Sequence, residues 1–205
     1  MKHLPNILTG GRIILTLFMF LAVILAVGGV PFLSDQITPE TGFKLQQFAV
    51  ISFFVAGITD FFDGWLARKM NATSLWGAIL DPIGDKVLVC GAILALMAMN
   101  VGATAYLPCA LILFREFTVS ALREVAANKG VSLPVTLLAK WKTTLQIASI
   151  GLELLVVSWN AFGLPPEWQQ GATVGADTLL WIAAIVTVIT GAQYWQAARH
   201  KLMDL

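Results

Sequence analysis

Apolar residues in this chain fall in long blocks, not in the narrow stripes of a soluble amphipathic helix. A helix that crosses a bilayer needs about 20 mostly apolar residues. Six stretches meet or approach that length, at residues 7–30, 45–66, 79–99, 106–127, 143–159 and 178–198. The second, third and fourth contain charges. The pattern predicts an all-α integral membrane protein with six transmembrane helices. No internal repeat, low-complexity tract or long linker interrupts it, so one membrane domain over residues 1–205 is expected. The first apolar block is long and no small-residue cleavage site follows at once, so it reads as a retained span and not a signal peptide.

Composition agrees. Of the 205 residues 58% are hydrophobic and 12% charged, about half the charged share of a soluble domain. This argues against a large soluble core. Cys90 and Cys109 both fall inside predicted spans and read as buried thiols.

The net charge is only +1, but its distribution sets an orientation. Lys2, Arg12, Arg68, Lys69, Arg123, Lys129, Lys140, Lys142, Arg199 and Lys201 fall at the termini or in alternate loops. The opposite loops hold Lys44 with Asp35, Glu40, Glu167 and Asp177. The excess of Lys and Arg on cytoplasmic loops then places both termini in the cytoplasm. Trp159, Trp168 and Trp181 are expected at the outer interface, and Trp76, Trp141 and Trp195 at the inner one, as an aromatic belt.

Against this background DFFDGWLARKMNATSLWGAILDPIGD, residues 60–85, stands out. Asp60 and Asp63 are three apart, and Asp81 and Asp85 four apart, so each pair shares a helix face. Two antiparallel helices joined by a short loop bring the faces together on the cytoplasmic side. A charge well inside a span costs about 2.5–3.5 kcal/mol, and four like charges repel, so something must compensate. Arg68 and Lys86 would do so in a salt-bridged hairpin. Divalent cations fit better, because hard carboxylate oxygens suit Mg²⁺, Mn²⁺ or Ca²⁺, and four aspartates suffice for two ions. Gly64, Ala67 and Gly77 beside them would admit a flat group such as a base or ribose, or simply allow close helix packing.

Further charges lie on the same side. Arg115 sits inside the fourth stretch, a costly position without a partner or a task. Arg115 and Arg123 are eight apart and share a face, and Lys140 and Lys142 enter from the next helix. Arginine forks match phosphate oxygens. A phosphate pocket of Arg115, Arg123, Lys140 and Lys142 is one reading. Pairing of Arg115 with Glu116 or an aspartate, with lysines that merely obey the charge rule, is the other. Lys140 and Lys142 point to different sides of a helix. Asn6, Thr9 and Arg12 recur every three residues at the cytoplasmic edge, as a polar face or as a helix cap with a snorkelling arginine.

The pattern D-x2-D-G-x2-A-R-x8-G-x3-D-x3-D, carried by Asp60, Asp63, Gly64, Ala67, Arg68, Gly77, Asp81 and Asp85, resembles without a gap the signature of the CDP-alcohol phosphotransferases. Three stretches resemble one branch of them, the bacterial phosphatidylglycerophosphate synthases: LPNILTGGR at 4–12, REFTVSALRE at 115–124 and KWKTTLQ at 140–146. Ala139 departs, since the resemblance leads one to expect glycine there. The likeness covers about residues 4–199.

The resemblance implies a six-helix membrane fold. It implies attack by the hydroxyl of sn-glycerol-3-phosphate on the diacylglycerol-bearing phosphate of CDP-diacylglycerol, releasing CMP. It implies Mg²⁺ or Mn²⁺, two ions, on Asp60, Asp63, Asp81 and Asp85, with Asp85 also the candidate base. It implies that Asn6, Thr9, Arg12, Asp63, Gly64, Ala67, Arg68 and Gly77 hold the donor, and that Arg115, Arg123, Lys140 and Lys142 hold the acceptor. A homodimer in the bacterial cytoplasmic membrane, among membrane lipids and without nucleic acid, is part of the same expectation. Other acceptors (inositol phosphate, serine or phosphatidylglycerol) share the signature. A divalent-cation transporter fits the raw aspartates, but such sites usually lie at the midplane within broken helices or inverted repeats, and neither is apparent.

Overall fold

The computed structural model describes the backbone of residues 4–33, 36–70, 75–131 and 137–203, and the side chains of residues 9–33, 36–60, 80, 83–131 and 141–201. The described chain is helical throughout, with no strand. Its long helices are α1 (Leu4–Ala26), α2 (Pro39–Met70), α3 (Leu75–Ala98), α4 (Tyr106–Asn128), α5 (Leu137–Val157) and α6 (Pro166–Met203), with short 3₁₀ turns at Ala103–Ala105 and Trp159–Phe162. Each overlaps one of the six apolar stretches. α2 and α6 run well beyond them.

Local chemistry explains several ends. Thr38 caps α2: its Oγ1 accepts from the Thr41 N–H at 3.3 Å, satisfying a donor the first turn leaves open. Pro39 follows at the first helical position, where its missing N–H costs nothing. α4 stops where Gly130 takes a left-handed φ of 70°. There the Val131 N–H reaches back to the Ala126 carbonyl at 2.8 Å and the Gly130 N–H to the Ala127 carbonyl at 2.9 Å, closing the end as a Schellman motif does.

Among the described residues, four helical segments are long and apolar enough to cross a membrane, over Thr9–Ala26, Pro39–Asp60, Ala103–Asn128 and Pro166–Lys201.

The chain divides into two compact units, one of Met1–Val101 with Ile150–Thr173 and one of Gly102–Ser149 with Val174–Leu205. In the first unit α1 packs on both α2 and α3. Thr9, Arg12, Thr16, Met19 and Val23 form its buried stripe, the three- and four-residue spacing of one helix face. Ile14, Leu17, Phe18 and Leu21 stay exposed on another side, the surface a lipid-facing helix presents. Alanines at 49, 56, 92 and 95 are buried on α2 and α3 and allow close helix approach. In the second unit Val119, Ala126, Tyr194 and Ala198 form a buried cluster between α4 and α6.

Cys109 is buried and Cys90 half-buried, and neither forms a disulfide. Trp168, Trp141 and Trp195 are exposed, as a belt requires, but Trp159 is buried. Its indole N–H donates to the Pro165 carbonyl at 3.1 Å, so its ring packs inside the first unit instead of facing an interface.

Candidate functional site

The first cluster lies where α1, α2 and α3 meet. Arg12 sits on the buried stripe of α1 with only 2% of its side chain exposed. Its Nη1 pairs with Oδ1 of Asp60 on α2, and its Nη2 donates to Oδ1 of Asp85 on α3 at 3.3 Å. One guanidinium thus joins carboxylates from both aspartate pairs. Asp60 is 26% exposed and Asp85 62%, so the cluster opens toward solvent on the Asp85 side. Thr9 is buried on the same face of α1, and Thr16 Oγ1 donates to the Arg12 carbonyl at 2.9 Å.

Gly84 makes room for this arrangement. A Cβ there would lie 2.6 Å from Arg12 Nη2 and 3.1 Å from Nε, inside van der Waals contact. The guanidinium lies against the bare backbone of α3, one residue before Asp85. Neither Gly84 nor the Arg12 bridge was foreseen. The sequence suggested Arg68 or Lys86 as the neutralising cation, whereas among the described residues it is Arg12 that pairs with these carboxylates.

Asp60 and Asp63 lie within α2, and Asp81 and Asp85 within α3, so each pair has the helical spacing that puts it on one face. The side chains of Asn6, Asp63, Gly64, Ala67, Arg68, Gly77, Asp81 and Lys140 lie outside the described residues. Among the described residues no three His, Cys, Asp or Glu side chains converge. Asp60 and Asp85 do converge on a single positive charge, that of Arg12, and carboxylate oxygens are the donor type that hard divalent cations take.

The second cluster lies in the other unit. Glu116 on α4 is its hub, with 18% of its side chain exposed. It pairs with Lys142 of α5 and accepts from Arg115 Nη1 and Gln146 Nε2, each at 3.3 Å. Arg115 Nη2 donates to Thr190 Oγ1 of α6 at 3.4 Å, and Gln146 Nε2 to Thr187 Oγ1 at 2.9 Å. The guanidinium carbons of Arg115 and Arg123 stand 5.7 and 5.5 Å from the centre of the Tyr194 ring, within cation–π range. Gly191 lets α6 approach: a Cβ there would meet Arg115 Cγ at 3.0 Å.

Arg115, Arg123 and Lys142 therefore belong to one cluster, with Arg115 and Lys142 buried and Arg123 exposed. Pairing of Arg115 with Glu116, the alternative to a phosphate pocket, is observed. It does not remove the pocket, because a guanidinium has five donors, and buried Arg115 Nε has no partner among the described residues. Gln146, Thr187, Thr190 and Tyr194 were not singled out from sequence, and Glu116 was weighed only as a partner for Arg115. A signal existed in Thr187, Thr190 and Tyr194, which are spaced by three and four along an apolar block and so share a face.

Residues 2–190 match the model of the CDP-alcohol phosphatidyltransferase family. A CDP-diacylglycerol–glycerol-3-phosphate 3-phosphatidyltransferase of Rickettsia typhi is 40% identical over 97% of this chain and 98% of its own length. Proteins of the same name from Haemophilus influenzae and Escherichia coli K12 are 34% and 35% identical, each over 98% of this chain and 96% and 98% of their own lengths. With a match that spans both charged clusters and nearly every helix, the chain belongs to the CDP-alcohol phosphatidyltransferase family.

Proposed function

We propose that this chain transfers the phosphatidyl group of CDP-diacylglycerol to sn-glycerol-3-phosphate, giving phosphatidylglycerophosphate and CMP. The observation that carries the reading is its 34–40% identity, over nearly the whole chain, to proteins named for that activity. The enzyme is a single membrane domain with six spanning helices, both termini and the active site on the cytoplasmic side of a bacterial inner membrane. α3 and α5 complete the six, since 24 and 21 residues reach about 36 and 31 Å at 1.5 Å per residue, enough for a hydrocarbon core of about 30 Å. The positive loops support the orientation. A homodimer is part of the same reading.

The acceptor hydroxyl attacks the phosphorus that bears diacylglycerol. A new P–O bond forms, the bond to CMP breaks, and CMP leaves with the electron pair. Asp85 takes the hydroxyl proton as the bond forms. Its exposed carboxylate suits a reagent arriving from water, and such proton transfer contributes about 10²–10⁴-fold. Asp60, Asp63, Asp81 and Asp85 would hold two Mg²⁺ or Mn²⁺ ions, which would supply positive charge against the pyrophosphate and the leaving CMP. Asn6, Thr9 and Arg12 on α1, with Gly64, Ala67, Arg68 and Gly77, hold the cytidine nucleotide. Arg115, Arg123, Lys140 and Lys142 hold the phosphate of glycerol-3-phosphate. The donor's acyl chains stay in the bilayer, which explains why so small an enzyme is a membrane protein.

The test is CMP release by purified protein given CDP-diacylglycerol and Mg²⁺. Glycerol-3-phosphate, inositol phosphate, serine and phosphatidylglycerol are supplied in turn, with Asp85→Asn as control. Turnover with glycerol-3-phosphate alone, lost in the variant, is expected. Turnover with a different acceptor would overturn the acceptor assignment and leave the donor chemistry standing.

A further inference from the structure

The reaction leaves the phosphate monoester of glycerol-3-phosphate untouched. Substrate and product therefore present the same dianion to the acceptor pocket. Binding energy spent on that group holds both equally and does nothing for the chemical step. A pocket of three cations in a membrane helix bundle would hold the product too well and would be unstable when empty.

The second cluster contains a remedy. Two of its cations, Arg115 and Lys142, contact a carboxylate, Glu116, that none of the proposed catalytic roles uses. Glu116 holds Lys142 closely but Arg115 only at 3.3 Å, and Arg115 reaches Thr190 at 3.4 Å. Both Arg115 contacts are longer than the usual 2.7–3.2 Å. Arg115 Nε is buried with no partner among the described residues. An arriving phosphate offers this guanidinium shorter, charge-assisted bonds. Lys142, paired closely with Glu116, keeps the carboxylate in place while Arg115 changes partner.

We infer that Glu116 is a built-in counter-anion. It satisfies Arg115 and Lys142 when no acceptor is present, competes with the acceptor phosphate while it is bound, and takes the cations back as product leaves. It is a positioning residue that sets acceptor affinity and product release. The inference rests on the reading of this cluster as the acceptor pocket.

The test is equilibrium binding of radiolabelled glycerol-3-phosphate to purified wild type, Arg115→Gln, Glu116→Gln and Glu116→Asp, with steady-state CMP release alongside. Removing one nearby negative charge should tighten binding to Glu116→Gln by about tenfold. Its KM should fall, its kcat should fall with it as release slows, and inhibition by added phosphatidylglycerophosphate should strengthen. A merely structural role would leave binding unchanged or weaker. Glu116→Asp, whose shorter carboxylate reaches less far toward Arg115, should bind about threefold tighter, and it carries the test if Glu116→Gln does not fold. Weaker binding in Arg115→Gln with no tightening in the Glu116 variants would overturn the counter-anion and keep the pocket. Unchanged binding in Arg115→Gln would overturn the pocket itself.

Discussion

The two charged clusters are inverses. In the first unit one cation, Arg12, gathers two carboxylates from α2 and α3. In the second one carboxylate, Glu116, gathers two cations and an amide from α4 and α5. Each hub is a short-range counterion among groups of the opposite sign. The difference lies in what the hub leaves outstanding. Arg12 is nearly fully buried, and Asp85 remains mostly exposed. Glu116 leaves the Nε of Arg115 without a partner among the described residues. Under the proposed function Asp85 would receive a cation or a proton, and Arg115 with Arg123 an anion. A low-dielectric interior keeps ionised groups only when they are paired, so each cluster would need an internal stand-in.

The largest expected effect breaks the first cluster. Asp85→Asn should lower CMP release by at least about 10²-fold, since it removes a proton acceptor together with a proposed metal oxygen. Near-normal turnover would remove Asp85 from the chemistry. Next comes Arg115→Gln in the second cluster. It should raise the KM for glycerol-3-phosphate by about tenfold or more, whereas Arg123→Gln should raise it only about threefold, because an exposed charge is screened by water. Equal effects would show that burial does not set the ranking.

Arg12→Gln should destabilise the protein by about 1–3 kcal/mol, discounted from the value for a fully buried pair because Asp85 is exposed. Mg²⁺ should restore more thermal stability to this variant than to wild type if carboxylates and metal meet as proposed. An equal gain in both would speak against Asp60 and Asp85 as a metal pair. The smallest effects compare the two glycines. Gly84→Ala, 2.6 Å from a trapped guanidinium nitrogen, should lower stability by about 1–3 kcal/mol. Gly191→Ala, 3.0 Å from Arg115 Cγ, should cost less than about 1 kcal/mol. Melting temperatures in one detergent would rank them, and the reverse order would mean that Arg12 yields more easily than its burial indicates.

How much was legible differs between the clusters. Asp60, Asp63, Asp81 and Asp85 were readable because helical spacing is a property of the local chain and eight motif positions at set intervals rarely coincide by chance. Arg115 and Arg123 were readable because a charge in an apolar block demands an explanation. Arg12 was noticed only as a polar residue at a helix edge. Its carboxylate partners lie far away in sequence, and no periodicity links them. Glu116 sat in a quoted stretch and was weighed only as a partner that would spend Arg115, although a carboxylate between two cations can serve them both.

The sequence by itself determined the helical class, the positions of the six long helices, the spacing of the aspartates along two of them and the side of the chain on which positive charge collects. Those properties depend on residues within a few turns of one another. Tertiary structure alone decided that Arg12 meets Asp60 and Asp85. It also decided that Gly84 must lack a side chain, that Trp159 turns inward, and that Thr187, Thr190 and Tyr194 complete the Arg115 cluster. Those depend on which helix faces meet, and packing is chosen by the fit of whole surfaces, which no single stretch of chain encodes.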